Sequence, residues 1–72
     1  MSKKLVRISF DHLDTCIENA LWINIVLENG VVHYVQPIKV IANILKVKNK
    51  MGGKMNLLLT QIDEIWADIK VS

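Results

Sequence analysis

Few residues in this chain are able to do covalent chemistry. Cys16 is the single cysteine of 72 residues, His12 and His33 are the two histidines, and the candidate carboxylates are Asp11, Asp14, Glu18, Asp63, Glu64 and Asp68. Nucleophilic catalysis needs a nucleophile, a base and a group that orients the base. His12 and Cys16 are the one suggestive pair. On a helix their i, i+4 spacing sets them on one face, where they would form a thiolate–imidazole pair or supply two metal ligands. No third and fourth ligand follows at a recognisable spacing. The pair therefore reads as a partly buried cysteine beside a surface histidine, with a Cys16 redox sensor as the minor alternative. Asp63-Glu64 with Asp68 lacks the alternating oxygen ligands and the glycine of a calcium loop and reads as a solvated acidic face. Gly52-Gly53 lacks the Lys-Ser/Thr sequel of a phosphate loop. The expectation is no catalytic residue, no metal, no cofactor and no enzymatic activity.

Charge offers a better constellation. The net charge is only +2, yet between Asn29 and Thr60 lie Lys39, Lys46, Lys48, Lys50 and Lys54 with no Asp or Glu, while the flanks carry all seven acids. Lys46, Lys48, Lys50 and Lys54 flank a single predicted hairpin tip, with Lys46 and Lys48 on the same strand face. Four ammonium groups so placed can track a phosphate backbone, which makes these four the candidate nucleic-acid site. The competing reading is a lysine-rich hairpin kept soluble by its charge. Arg7 is the only arginine, and no aromatic residue interrupts the lysines. Base stacking and bidentate base readout therefore have little support, and any such binding is expected to be weakly selective.

The third resource is apolar surface. Half of the residues are hydrophobic (51%) and only 22% are charged, more apolar material than a single core of this size readily buries. The surplus predicts a second covered surface, supplied by another protein or by further copies of the chain. Trp22, Val26, Val32, Val35 and Ile41 are the candidate protein-interface residues. Trp22 and Trp66 sit on otherwise apolar elements and read as core or interface anchors rather than stacking platforms.

One domain over residues 1–72 must position all of this. Leu5 to Phe10 predicts a short first strand. Ser9 then stands as a helix cap, and Phe10, Leu13, Ile17, Ala20 and Leu21 recur at helical spacing over roughly 10–20. Leu21, Ile23, Ile25 and Leu27 alternate with Trp22, Asn24, Val26 and Glu28, the clearest strand of the chain. Asn29-Gly30 predicts a type I′ hairpin turn, with β-formers resuming at Val31. Pro37 cannot donate a ladder hydrogen bond, so the next strand must lie at an edge, bend or bulge before Ile38–Ile44. Leu45–Lys48 and Lys54–Thr60 form a second hairpin through Asn49–Gly53. The C-terminal stretch is ambiguous. Ile62, Ile65, Trp66 and Ile69 fit a helix capped by Thr60, whereas Ile65, Ala67, Ile69 and Val71 fit a strand, and closure of a barrel favours the strand.

This order of elements, with Ile23-Asn24-Ile25-Val26-Leu27-Glu28-Asn29-Gly30 followed by Lys48-Asn49, resembles the Sm-like small barrels over about residues 9–70. The octapeptide is similar to the second-strand signature of the bacterial Sm-like RNA chaperones. The stretch from Trp22 to Asp68 is also similar in pattern to the YolD-like proteins of bacteria and their phages. These are fold analogies, and no functional residue is carried over from either family. They imply a mainly β fold, a five-stranded Sm-like or SH3-like barrel with one short N-terminal helix; an α+β fold with a C-terminal helix is the alternative. A lone cysteine and the absence of a signal-peptide core point to the cytoplasm, and no apolar run approaches the ~20 residues that span a bilayer. The leading functional expectation is a small regulatory or accessory protein, bacterial or phage, that binds another protein. The alternative is an Sm-like homo-oligomer that binds nucleic acid through the lysine hairpin.

Overall fold

The structure, a computed structural model, describes the backbone of residues 2–71 and the side-chain surroundings of residues 5–67. It is mainly β, with six strands: β1 (Ser2–Arg7), β2 (Ile23–Leu27), β3 (Val32–Ile41), β4 (Ile44–Lys48), β5 (Lys54–Leu58) and β6 (Ile62–Val71). They form one antiparallel sheet in the order β1-β6-β2-β3-β4-β5. The expected barrel had five strands and was closed or nearly closed. Here the first strand adds to the outer side of β6, and β1 and β5 remain the two ends of an open sheet.

A 3-10 turn (Phe10–His12) leads into one short helix, α1 (Leu13–Glu18). The helix is shorter than its pattern because only Leu13 and Cys16 are buried along it, while Phe10 stays 42% exposed. Ser9 does not cap with its side chain; its Oγ is hydrogen-bonded to His12 Nδ1 at 3.1 Å instead. The helix ends in a Schellman arrangement, with Leu21 N donating to Cys16 O (3.0 Å) and Ala20 N to Ile17 O (3.2 Å). That geometry needs a left-handed residue, usually glycine, and Ala20 fills it at φ 51°.

The turns hold the other departures. Gly30 has φ 87° but Asn29 is not in the positive region, so the first hairpin is not type I′. Gly30 N donates to Leu27 O (2.9 Å) and Leu27 N to Val31 O (2.8 Å), a type I turn closed by a left-handed glycine bulge. The β4–β5 hairpin repeats it: Gly52 has φ 86°, Gly52 N donates to Asn49 O and Asn49 N to Gly53 O. A third hairpin at Ala42-Asn43 divides what reads in the sequence as one strand over 38–44, with Ile41 facing Ile44. No glycine announces it, because Ala42 itself adopts φ 53°. Pro37 lies in β3 beyond the β2 ladder, which ends at the Ile23–Val35 pair, and faces Val47 of β4, where the ladder shifts register between Pro37 and Lys39. Of the expected edge, bend or bulge, the register shift supplies the bulge, and the β2 ladder stops short of Pro37, so its missing N–H breaks no pairing on that side.

Residues 62–71 form a strand, not a helix. Both patterns were present, and pairing on both sides, with β1 and β2, decides between them. The expected alternation at Ile69 and Val71 lies outside the residues whose side chains are described. The core gathers Ile23 and Ile25 of β2, Val35 of β3, Leu45 and Val47 of β4, Leu57 of β5, and Ile62, Ile65 and Ala67 of β6, with Leu13 and Cys16 packed from α1. A hydrogen bond from Gln36 Nε2 to Ala20 O (2.8 Å) ties the end of the helix to β3.

Candidate functional site

Alternation sends Ile23, Ile25, Val35, Ile65 and Ala67 inward and therefore turns their strand neighbours outward. The register then assembles a face that no linear pattern displays. Asn24 lies between Tyr34 on β3 and Trp66 on β6, Trp66 in turn faces Arg7 on β1, and Val26 lies between Val32 and Glu64. Trp22, just before β2, stacks on Tyr34 with ring centroids 5.6 Å apart and planes 26° from parallel. Trp66 Nε1 donates to Glu64 Oε1 at 2.8 Å, which fixes the indole and occupies that carboxylate. Trp22, Val26, Tyr34 and Trp66 are half-buried, and Val32 is 57% exposed.

Of the predicted interface residues, Trp22, Val26 and Val32 meet on this face. Val35 does not. It is 1% exposed and sits in the core opposite Ile23, because it has the inward parity of β3, so it offers nothing to a partner. Ile41 is 48% exposed but lies beyond the bulge, at the far end of β3, in a row with Ile44 and Leu58. Tyr34, which the sequence reading does not single out, and Trp66, expected there as an anchor but not among the interface residues, complete the face. The signal was there in their parity, since each alternates with core residues.

The lysines divide into two groups. Lys46 and Lys48 share one side of β4, where Lys46 faces Lys39 and Asn56, and Lys48 faces Gln36 and Lys54. Lys39, Lys46, Lys54 and Asn56 line a groove of about 440 Å³ together with Ile38 and Met55. Lys39 joins through the β3–β4 pairing, which sequence spacing does not reveal. Two lysine pairs thus stand directly opposite each other across strands, an arrangement that costs stability unless an anion lies between them. Lys50 is different. It sits in the β4–β5 turn, whose backbone is held by Asn49 Oδ1 accepting from Met51 N and Gly53 N, each at 2.9 Å. From there its Nζ reaches back to 5.1 Å from the Tyr34 ring centroid and 5.9 Å from that of Trp22, within cation–π range.

No family model, curated protein or solved structure matches this chain.

The candidates for covalent chemistry differ in burial. Cys16 is 1% exposed, and burial pushes its thiol above the ordinary range, which lowers the fraction present as the nucleophilic thiolate. His12 ends the 3-10 turn, exposed, before the helix proper begins. Both line an apolar cleft with Val6, Ile8 and Leu21, but the thiol is sealed beneath it. Asp63 is exposed, Glu64 is held by Trp66, and the Asp68 side chain lies outside the described residues. Among the described residues no three His, Cys, Asp or Glu side chains are grouped to hold a metal, and no helix is long and apolar enough to cross a membrane.

Proposed function

We propose that this chain is a small non-enzymatic accessory protein that works in the cytoplasm by binding another protein through the outer face of β6, β2 and β3. The observation that carries this reading is the contiguity of Trp22, Val26, Val32, Tyr34 and Trp66 on that face. Tryptophan and tyrosine are the residues most enriched among interface anchors, and a rim of polar groups around an apolar centre is the usual plan of such a surface. Arg7, Gln36 and Glu64 supply polar positions around the aromatic and valine residues here, and Asn24 stands among them. The fold reading that accompanies it is a small Sm-like or SH3-like barrel opened by an extra first strand. Its supports are the order β6-β2-β3-β4-β5, the bulged β3 and the 3-10 turn (Leu59–Gln61) before the last strand. The test is affinity capture from the native host after nuclease treatment, comparing wild type with Val32→Asp. Proteins retained by wild type and lost from the variant support the reading; an unchanged set of captured proteins refutes it.

A second reading is nucleic-acid binding, in the manner of an Sm-like oligomer, favoured by the groove of Lys39, Lys46 and Lys54. Salt separates the two. Phosphate contacts release counterions, so affinity for a single strand falls steeply with ionic strength, by about 0.7 in the log–log slope per contact, whereas apolar contacts do not respond in this way.

A further inference from the structure

We infer that the protein partner presents an acidic segment, an apolar side chain seated against Val26, Val32 and the Trp22–Tyr34 stack and flanking carboxylates meeting Lys48, Lys50 and Lys54. This rests on the protein-binding reading above and names the chemistry of the partner. Three observations carry it. The apolar and cationic parts are continuous: from Val26–Val32 the β2–β3 register runs to Asn24–Tyr34, and β3 then passes through Gln36 to Lys48 and Lys54. The cations are gathered by register, since Lys48 faces Lys54 across the β4–β5 ladder, in a stretch of sequence from Asn29 to Thr60 that holds no acid. Among the residues whose side chains are described, Glu64, the carboxylate that the β2–β6 register sets in the face, already accepts from Trp66.

The same geometry argues against a nucleobase as the occupant. A base stacks on an open aromatic face, but the Lys50 ammonium already lies over both rings and would have to leave. A carboxylate reaches that ammonium from the solvent side without disturbing the stack, and draws on a cation whose position is already held, so less side-chain freedom is lost on binding. Val26 and Val32 offer aliphatic contact, which suits a Leu, Ile or Phe side chain better than a base.

The experiment uses three probes on the full chain: a 12-residue peptide with Phe-Leu at its centre and Asp and Glu around it, the same peptide with Lys for every acid, and a mixed-sequence single-stranded RNA of 12 nucleotides. Binding is read by the anisotropy of a label on each probe and by tryptophan fluorescence. Wild type is compared with Val32→Asp and with the triple variant Lys48→Gln, Lys50→Gln, Lys54→Gln, whose folding is checked by circular dichroism. The acidic peptide is expected to bind wild type, change the tryptophan emission, and lose roughly tenfold in affinity in the triple variant; the lysine peptide is expected not to bind. The inference is overturned if RNA alone binds, if no probe binds, or if the acidic peptide binds the triple variant as well as wild type. Capture from host extract separates the two levels. Partners lost with Val32→Asp but kept by the triple variant leave the protein-binding reading standing and refute the acidic partner, whereas partners indifferent to both variants refute the reading itself.

Discussion

Two alanines occupy backbone positions that suit glycine, and replacing them should stabilise the protein. Ala20 closes α1 at φ 51° and Ala42 opens the β3–β4 turn at φ 53°. An L-residue in the left-handed region costs roughly 1–2 kcal/mol through its Cβ. Glycine removes that cost but adds unfolded-state freedom worth about 0.4–1 kcal/mol. The difference leaves each of Ala20→Gly and Ala42→Gly stabilising by about 0.5–1 kcal/mol. Both alanines are exposed, so no packing is lost with the methyl group. In a domain of this size, 1 kcal/mol moves the melting temperature by about 4–8 °C, so each variant should melt a few degrees higher and the double variant should gain nearly the sum. Thermal and urea unfolding followed by circular dichroism measure this. Gly30→Val runs the experiment in reverse. A Cβ there meets nothing within 4 Å, so the expected loss of about 1–2 kcal/mol comes from the backbone alone. A lower melting temperature for Ala42→Gly, or unchanged melting for Gly30→Val, would show that these turns do not have the assigned backbone.

Further outcomes follow from burial and register. Val35→Ala should cost roughly 2 kcal/mol, from two lost methyl groups and the space they leave, while Val32→Ala should stay within about 0.5 kcal/mol; equal losses in urea denaturation would place the two on the same side of the sheet. Lys54→Glu turns a like-charged cross-strand pair with Lys48 into an opposite-charged one and should stabilise by up to about 1 kcal/mol at low salt, with the gain shrinking as salt is raised; a salt-independent effect would contradict the pairing. Cys16 should react with iodoacetamide far more slowly in the native protein than in urea, because it is buried and its thiol is raised. The same shift has a sign for stability. The folded thiol keeps its proton where the unfolded one has lost it, so stability is complete below the ordinary thiol range and falls as pH rises through and beyond it. Equilibrium unfolding at alkaline pH should show that decline in wild type and less of it in Cys16→Ala.

The split between what was legible in the chain and what was not follows the range of the interactions. Binary alternation over two residues marks Ile23 and Ile25 as inward and Trp22 and Val26 as outward, because parity in a strand is a local property. Asn29-Gly30 and Gly52-Gly53 mark their turns for the same reason, since the left-handed region is closed to most side chains. Other features depend on partners far along the chain. The choice of strand for residues 62–71 was made by ladders to β1 and β2 against an equally good helical pattern. The Ala42-Asn43 turn carries no sequence signal, because pairing of Ile41 with Ile44 holds an alanine where glycine would be expected. Val35 changed from interface candidate to core through its register with Ile23. The candidate face was visible only in pieces. The sequence shows an acid-free lysine block and an excess of apolar residues, but bringing Tyr34 and Lys50 to Trp22, and Trp66 beside Asn24, requires β3, β6 and the β4–β5 turn to converge on β2. Hydrogen bonds between strands set that convergence, and their register is a property of the folded chain rather than of any one segment.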